Sequence, residues 1–199
     1  MSARSVVITG AAGSIGQLAV ERLARRGFRV HAVDKRALAR LPLGSEAHQV
    51  DISKRGFADV LRRVRPDAVL HLARERRFTV AARERYRLNF EGTARVFELC
   101  LGAGVKKFVF PSRHTVYGAL ADNPAFLREE HPPTAGRTFP EIQDLVAADL
   151  YVSALLWRNP EIEVVVLRPV NVLGPTVNTL FSRYLSPRRV FTVAGYDPV

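Results

Sequence analysis

The segment Val6-Val7-Ile8-Thr9-Gly10-Ala11-Ala12-Gly13-Ser14-Ile15-Gly16 leaves little freedom to the start of this chain. An apolar β-branched run reads as a buried strand, three glycines spaced three apart follow it, and helix-like sequence opens at Ser14. Each glycine has its own physical task. Gly10 permits a tight turn, Gly13 lets backbone approach a ligand where a Cβ would intrude, and Gly16 lets the helix pack closely on the strand. The helix start at Ser14, Ile15 and Gly16 offers unpaired N–H groups and the positive end of a dipole, which suits phosphate. Gly27 is placed to stop that helix, and a second apolar run, Phe28 to Val33, ends in Asp34. A carboxylate at that distance accepts from ribose hydroxyls and repels a 2′-phosphate. The combination predicts a dinucleotide site that takes NAD in preference to NADP, a preference softened by the adjacent Lys35 and Arg36.

The alternation continues along the chain. Strand patterns near 4–9, 28–33, 47–50, 67–72, 106–111 and 162–168 alternate with helical patterns near 14–26, 54–64, 83–103 and 141–157. Short apolar strands separated by helices imply right-handed crossovers and an α/β fold with a doubly wound parallel sheet, the Rossmann arrangement. With 199 residues, 47% of them hydrophobic, one substantial core is expected, and 1–199 reads as a single domain. In the longest helix Tyr86, Phe90, Thr93, Phe97 and Cys100/Leu101 recur every three or four residues and predict one buried stripe, within which Gly92 predicts close backbone packing. Residues 119–138, rich in Pro, Gly, Glu and Thr, read as a long surface connection.

The formal net charge is +11, and Lys35, Lys54, Lys106 and Lys107 supply all the lysine in it. The remaining cations are arginines scattered over many segments without basic–aromatic interleaving, which argues against nucleic acid as a partner. The densest stretch, Arg74 to Arg87, interleaves Glu75 and Glu84 and reads as a solvated helix face. No apolar run reaches bilayer length and no secretory leader pattern opens the chain, so no membrane partner and a cytoplasmic location are expected. Cys100 is the single cysteine, which excludes an internal disulfide or a cysteine zinc cluster. It reads as a core thiol, and no metal site is expected.

The motifs together resemble those of the extended short-chain dehydrogenase/reductase family, the NAD-dependent epimerases and dehydratases that act mostly on nucleotide sugars. Thr9-Gly10 through Gly16 is similar to the family's T-G-x-x-G-x-x-G, Asp34 to its ribose acid, and Asp51-Ile52 to the D-[ILV] pair that holds adenine. His71-Leu72-Ala73 resembles the H-x-A turn over the pyrophosphate, and Asn89 with Gly92-Thr93 the N-x-x-G-T of the long helix. Val109-Phe110-Pro111-Ser112 through Val116-Tyr117-Gly118 is similar to the strand that ends in the V-Y-G turn, and Leu167-Arg168-Pro169-Val170-Asn171-Val172-Leu173-Gly174-Pro175 to L-R-P-x-N-x-x-G-P. The resemblance implies a cofactor site made by Gly10, Gly13, Ser14, Ile15, Gly16, Asp34, Asp51, Ile52, Leu72, Ala73, Arg74, Ser112, Pro169 and Val170. It also implies a nucleotide sugar or other anionic small molecule as ligand, and a homodimer paired through the helices near 83–103 and 141–157. His71, at the end of a buried strand, reads as a packed, hydrogen-bonded residue, and Trp157 as core or interface. Val193–Val199 resembles the G-x-D-P turn after which family members continue, so either the sequence is truncated at its C-terminus or the protein lacks most of the usual substrate region.

Family chemistry uses a Tyr, a Lys four residues later and a Ser or Thr that orients the substrate hydroxyl. Counting from the flanking motifs, the hydroxyl position holds Arg113, the Tyr position Glu141 and the Lys position Leu145. No lysine follows Lys107, so no downstream Tyr-x-x-x-Lys exists in any register, and Tyr184-x-x-x-Arg188 contains Pro187. Arg74 also stands where the family usually has a small residue; it and Arg113 are expected near the cleft, holding an anion or the cofactor phosphates. The reading is therefore a cofactor-dependent binding or regulatory module without catalytic residues. Its rival is an active epimerase, dehydratase or reductase that uses Glu141, Ser112 or His114, since a desolvated carboxylate can serve as a base. A third reading is a structural or nucleic-acid-associated protein with a vestigial cleft.

Overall fold

The computed structural model describes residues 4–38, 40–174, 176–177 and 180–190. Among them, strands β1 (Ser5–Thr9), β2 (Arg29–Asp34), β3 (Ser45–Gln49), β4 (Ala68–His71), β5 (Lys107–Pro111) and β6 (Glu163–Leu167) form one parallel sheet in the order β3-β2-β1-β4-β5-β6. The chain winds outward from β1 to β3, then returns to β4 on the other side of β1. That reversal opens a crevice beyond the carboxyl ends of β1 and β4, where such sheets bind ligands. The helices are α1 (Ser14–Arg25), α2 (Arg55–Val64), α3 (Ala82–Tyr86), α4 (Gly92–Gly102), α5 (Gln143–Arg158) and α6 (Leu180–Leu185).

Strands β1 and β2 are buried on both faces along almost their whole length rather than at alternate residues, whereas edge strand β3 is largely exposed. Val6 and Ile8 of β1 join Val20, Val30 and Ala32 in one core, while Val7 points to the other with Val33, Phe57, Val69, Phe97, Phe108 and Val152. Gly27 ends α1 as expected, at φ +81°, with its N–H bonded to the Ala24 carbonyl at 2.9 Å. Cys100 is buried in the larger core, which pushes its thiol up to about 12.

The long helix departs from the sequence reading. It is divided by a π-helical turn, Arg87–Glu91, whose extra residue rotates the face of α3 relative to α4. Thr93, Phe97 and Cys100 are buried as the stripe requires, but Tyr86 on the far side of the turn is 39% exposed. Gly92 does not make a close approach either: a Cβ there would meet the Arg87 carbonyl oxygen at 3.7 Å, an ordinary contact. The stretch from Arg74 is not a solvated helix face, because the helix begins only at Ala82 and Arg85 is buried. Trp157 is 88% exposed, which leaves the interface and removes the core from its two readings. β3 starts at Ser45, two residues before the expected 47. Pro175 and Val193–Val199, the ends of two quoted motifs, lie outside the described residues.

Candidate functional site

At the crevice the chain leaves β1 through Gly10, whose φ is +69°. A Cβ there would stand 2.7 Å from the Ala73 nitrogen and the Leu72 carbonyl carbon, so the turn after β4 lies directly on this glycine. Gly13 turns back, its N–H donating to the Gly10 carbonyl at 3.0 Å; a Cβ there would lie 3.2 Å from that oxygen. At Gly16 a Cβ would collide with the same oxygen and stand 2.8 Å from the Ala11 Cα. No side chain caps α1 and no acidic residue lies in its first turn, so the N–H groups of Ser14, Ile15 and Gly16 keep their positive potential for a ligand.

Asp34 ends β2, 7% exposed. Its Oδ2 accepts from the Ala12 N–H at 2.9 Å, and its Oδ1 from the Arg36 N–H at 2.9 Å and Nε at 3.3 Å. A carboxylate offers about four acceptor sites, so Oδ2 retains one for a ribose hydroxyl. Asp51 and Ile52 follow β3; Asp51 Oδ1 accepts from the Ser53 N–H and hydroxyl, both at 2.8 Å, which lowers the carboxyl below its ordinary range. The Val50 N–H donates to the Asp34 carbonyl and brings the two acids to one rim.

Beneath the turn runs a closed relay. The Ala73 N–H donates to Thr9 Oγ1 at 3.2 Å, and Thr9 Oγ1 lies 2.8 Å from His71 Nδ1. His71 Nε2 lies 3.2 Å from Thr93 Oγ1, which donates to the Asn89 carbonyl at 2.6 Å. Thr93 spends its one proton on that carbonyl, so Nε2 carries the imidazole proton and Nδ1 accepts from Thr9. Burial first, then Arg74, lowers His71 to about 4. It is neutral and structural.

Asn89, in the π-helical turn, clamps the loop after β4. Its Oδ1 accepts from the Glu75 N–H at 2.8 Å, and its Nδ2 donates to the Glu75 carbonyl at 2.9 Å and to Asp144 Oδ2 at 2.5 Å. The clamped loop carries Arg74, which burial pushes down to about 10, with Arg113 and Arg76 adding repulsion and Asp144 opposing it. The Arg74 Nη1 is buried without a hydrogen-bond partner. Arg113 is lowered too, by burial and then by Arg76. The charges of Arg74, Arg76 and Arg113 thus repel one another at this end of the sheet. Asn89 belongs to the N-x-x-G-T motif read from the sequence, whereas Asp144, which meets it across 55 positions, carries no site signal there.

The far wall comes from β5 and β6. Ser112 donates its N–H to the Leu167 carbonyl at 2.7 Å, and its hydroxyl is buried with no partner. The His114 N–H donates to the Pro169 carbonyl at 3.2 Å, while Pro169 and Val170 stand exposed at the rim. Below them Arg168 donates to both oxygens of buried Asp149, at 3.0 and 2.7 Å, and to the Tyr117 hydroxyl at 2.8 Å. The quoted V-Y-G and L-R-P residues are therefore bound to each other. Glu141 is exposed in a 3₁₀ turn, Pro140–Ile142, its carbonyl accepting from Arg85 at 2.6 Å. Leu145 packs against the small cluster of Val116, Tyr117, Ala135 and Val146.

The glycine cradle, the remaining acceptor on Asp34 and the orphaned buried N–H of Arg74 fit a dinucleotide with its two phosphates. A profile of the NAD dependent epimerase/dehydratase family matches residues 6–192. An uncharacterized protein of Mycobacterium tuberculosis is 33% identical over 208 residues, covering 96% of this chain and 54% of that one. The UDP-glucose 4-epimerase of Thermus thermophilus, solved with NAD, superposes with a TM-score of 0.72 at 28% identity, over 87% of this chain and 57% of the other. MoeE5, solved with UDP-glucuronic acid and NAD, gives 0.72 at 29% identity, over 90% and 60%. The chain spans about half the length of the curated relatives it matches. NAD is the cofactor in that family's description, the sheet order and glycine turn are those the fold requires of it, and the chain belongs to the NAD dependent epimerase/dehydratase family.

Proposed function

We propose that this chain is a single, cytoplasmic NAD(H)-binding domain that holds an anionic, nucleotide-sugar-like ligand beside the cofactor and acts as a binding or regulatory module rather than a catalyst. The observation that carries this reading is the buried Arg74 guanidinium with an unpartnered Nη1, facing Arg76 and Arg113. Asp144, the one carboxylate acting on Arg74, is already held by Asn89 and Arg85, so the cluster keeps a net positive charge that an entering anion would relieve. Gly10, Gly13 and the start of α1 would hold the pyrophosphate, Asp34 the adenosine ribose and Asp51-Ile52 the adenine. Leu72, Ala73, Pro169 and Val170 would line the path to the nicotinamide, with Ser112 beneath it. Bound NAD would supply a hydride acceptor. In this chain Glu141 and Leu145 occupy the positions of the family's Tyr and Lys, so no phenol takes a hydroxyl proton and no ammonium holds the nicotinamide ribose. MoeE5 binds a sugar nucleotide with a carboxylate, and the arginine cluster favours an acid of that class here. A homodimer through α4 and α5 completes the reading.

Calorimetric titration should show NAD and NADH binding, with NADP weaker, and incubation with NAD plus UDP-glucose or UDP-glucuronic acid should yield neither reduced nicotinamide nor altered sugar. Absence of any dinucleotide binding overturns the cofactor reading. Turnover that disappears in Glu141→Gln establishes the active-enzyme rival, which the unpartnered Ser112 hydroxyl favours.

A further inference from the structure

The pairing of β2 with β3 places His31 opposite Glu46 and Val33 opposite His48. Side chains two apart on a strand share a face, so Glu46 and His48 project together, and His31 shares the side on which Val33 meets Phe57 of α2. Three donor atoms converge there. His31 Nδ1 lies 3.1 Å from His48 Nε2 and 3.5 Å from Glu46 Oε2, and His48 Nε2 lies 3.7 Å from Glu46 Oε1. Metal bonds of about 2.0–2.1 Å at tetrahedral angles hold ligand atoms about 3.3 Å apart, so small side-chain adjustments suffice. Both imidazoles are buried, whereas the Glu46 side chain is 58% exposed and opens the cluster to solvent along the edge strand.

We propose that His31 Nδ1, His48 Nε2 and a Glu46 carboxylate oxygen form a binding site for a divalent transition-metal ion of the zinc class, with the fourth position open to water. Two imidazoles and one carboxylate suit zinc, cobalt or nickel, whereas magnesium and calcium take oxygen ligands. Burial, the largest influence, lowers both histidines, and Glu46 opposes it.

The surrounding charges add a competitor. Arg63 Nη2 donates to His48 Nδ1 at 3.1 Å, so in the metal-free protein the His48 proton sits on Nε2 and is shared with His31 Nδ1. Metal entry requires that proton to move to Nδ1 through solvent, and Arg63, an exposed side chain of α2, to swing away. Arg29 and Arg63 also repel a cation, while Glu46 attracts it. The ion would staple edge strand β3 to β2 three residues before Asp34, roughly 10 Å along the strand from the ribose end. It is a stabilising site, independent of the cofactor reading. The sequence does not announce a metal because the ligands lie on two strands, each with only part of the set.

Tag-free chain titrated with Co²⁺ and Zn²⁺ tests this. The expected result is one ion per chain, intense visible cobalt bands of a tetrahedral site, and a zinc-dependent rise in melting temperature. His48→Gln should abolish the bands. Glu46→Gln, at an exposed position that leaves folding intact, should weaken binding by roughly tenfold or more through loss of one ligand. Arg63→Gln should tighten it, an effect no adventitious surface histidine site would show. Absence of saturable binding overturns the proposal, as does binding that survives Glu46→Gln and Arg63→Gln unchanged or is lost instead in His114→Gln/His131→Gln.

Discussion

His71 shows how a residue that looks catalytic is made inert. Both ring nitrogens are committed, to Thr9 and Thr93, and burial holds the imidazole neutral down to about pH 4. The folded pKa lies below the unfolded 6.5, so the contribution is fully present above pH 6.5 and is lost as pH falls toward 4. The whole effect is about 3 kcal/mol, since each tenfold change in an ionisation constant corresponds to about 1.4 kcal/mol. Urea unfolding of wild type and His71→Gln across this range should show the variant weaker at neutral pH and with a flatter decline on acidification. Equal slopes would refute the assignment. Arg74 presents the opposite case, a charge buried ahead of its partner. Arg74→Gln should raise the melting temperature of the free protein by removing repulsion from Arg76 and Arg113, while Asp144 keeps Asn89 and Arg85. The same variant should lose roughly tenfold or more in NAD affinity, about 1.4 kcal/mol per tenfold. Thermal melts and calorimetry read the two effects separately.

At the scale of elements, the β1–turn–α1–β2 unit depends on a fold determinant that is local in sequence. Gly10→Ala should destabilise the chain by about 1–3 kcal/mol, since a left-handed φ and a backbone collision act together, and should abolish dinucleotide binding. A denaturation midpoint within error of wild type would show that the turn relaxes freely. This unit is legible because its strand, glycines and acid lie close together in the chain and each carries a composition cue. The π-helical turn is not. Its Asn89 is drawn toward Glu75, fourteen positions away, and Asp144, fifty-five away, and neither partner announces itself in a periodicity count. The expected stripe from Tyr86 therefore slips by the extra residue, and the Arg74–Arg87 charge run reads as solvent-facing although Arg85 is buried against Val80, Glu141 and Phe78.

At the scale of the whole molecule, Arg168 binds both Asp149 of α5 and Tyr117, which ties the end of β6, α5 and the turn after β5 together. The outer side of α5 is open to solvent. Leu150 is 49% exposed and Trp157 88% exposed, and seven residues is about two helical turns, so they share one face with Ala154 between them. In the proposed homodimer this exposed stripe is the surface that would be covered. A second copy is the occupant the reading of α4 and α5 as pairing helices requires, and the isologous geometry of a two-fold axis would set each Trp157 against the partner helix. Sedimentation velocity at tens of micromolar should show a dimer that dissociates in Leu150→Lys/Trp157→Lys, with the far-ultraviolet spectrum unchanged because neither side chain belongs to the core. The net charge of +11 opposes self-association at low ionic strength, so added salt should strengthen the dimer, the reverse of its effect on a contact with nucleic acid. A wild-type monomer at every salt concentration would leave the stripe without a second copy to cover it and remove the dimer from the proposal.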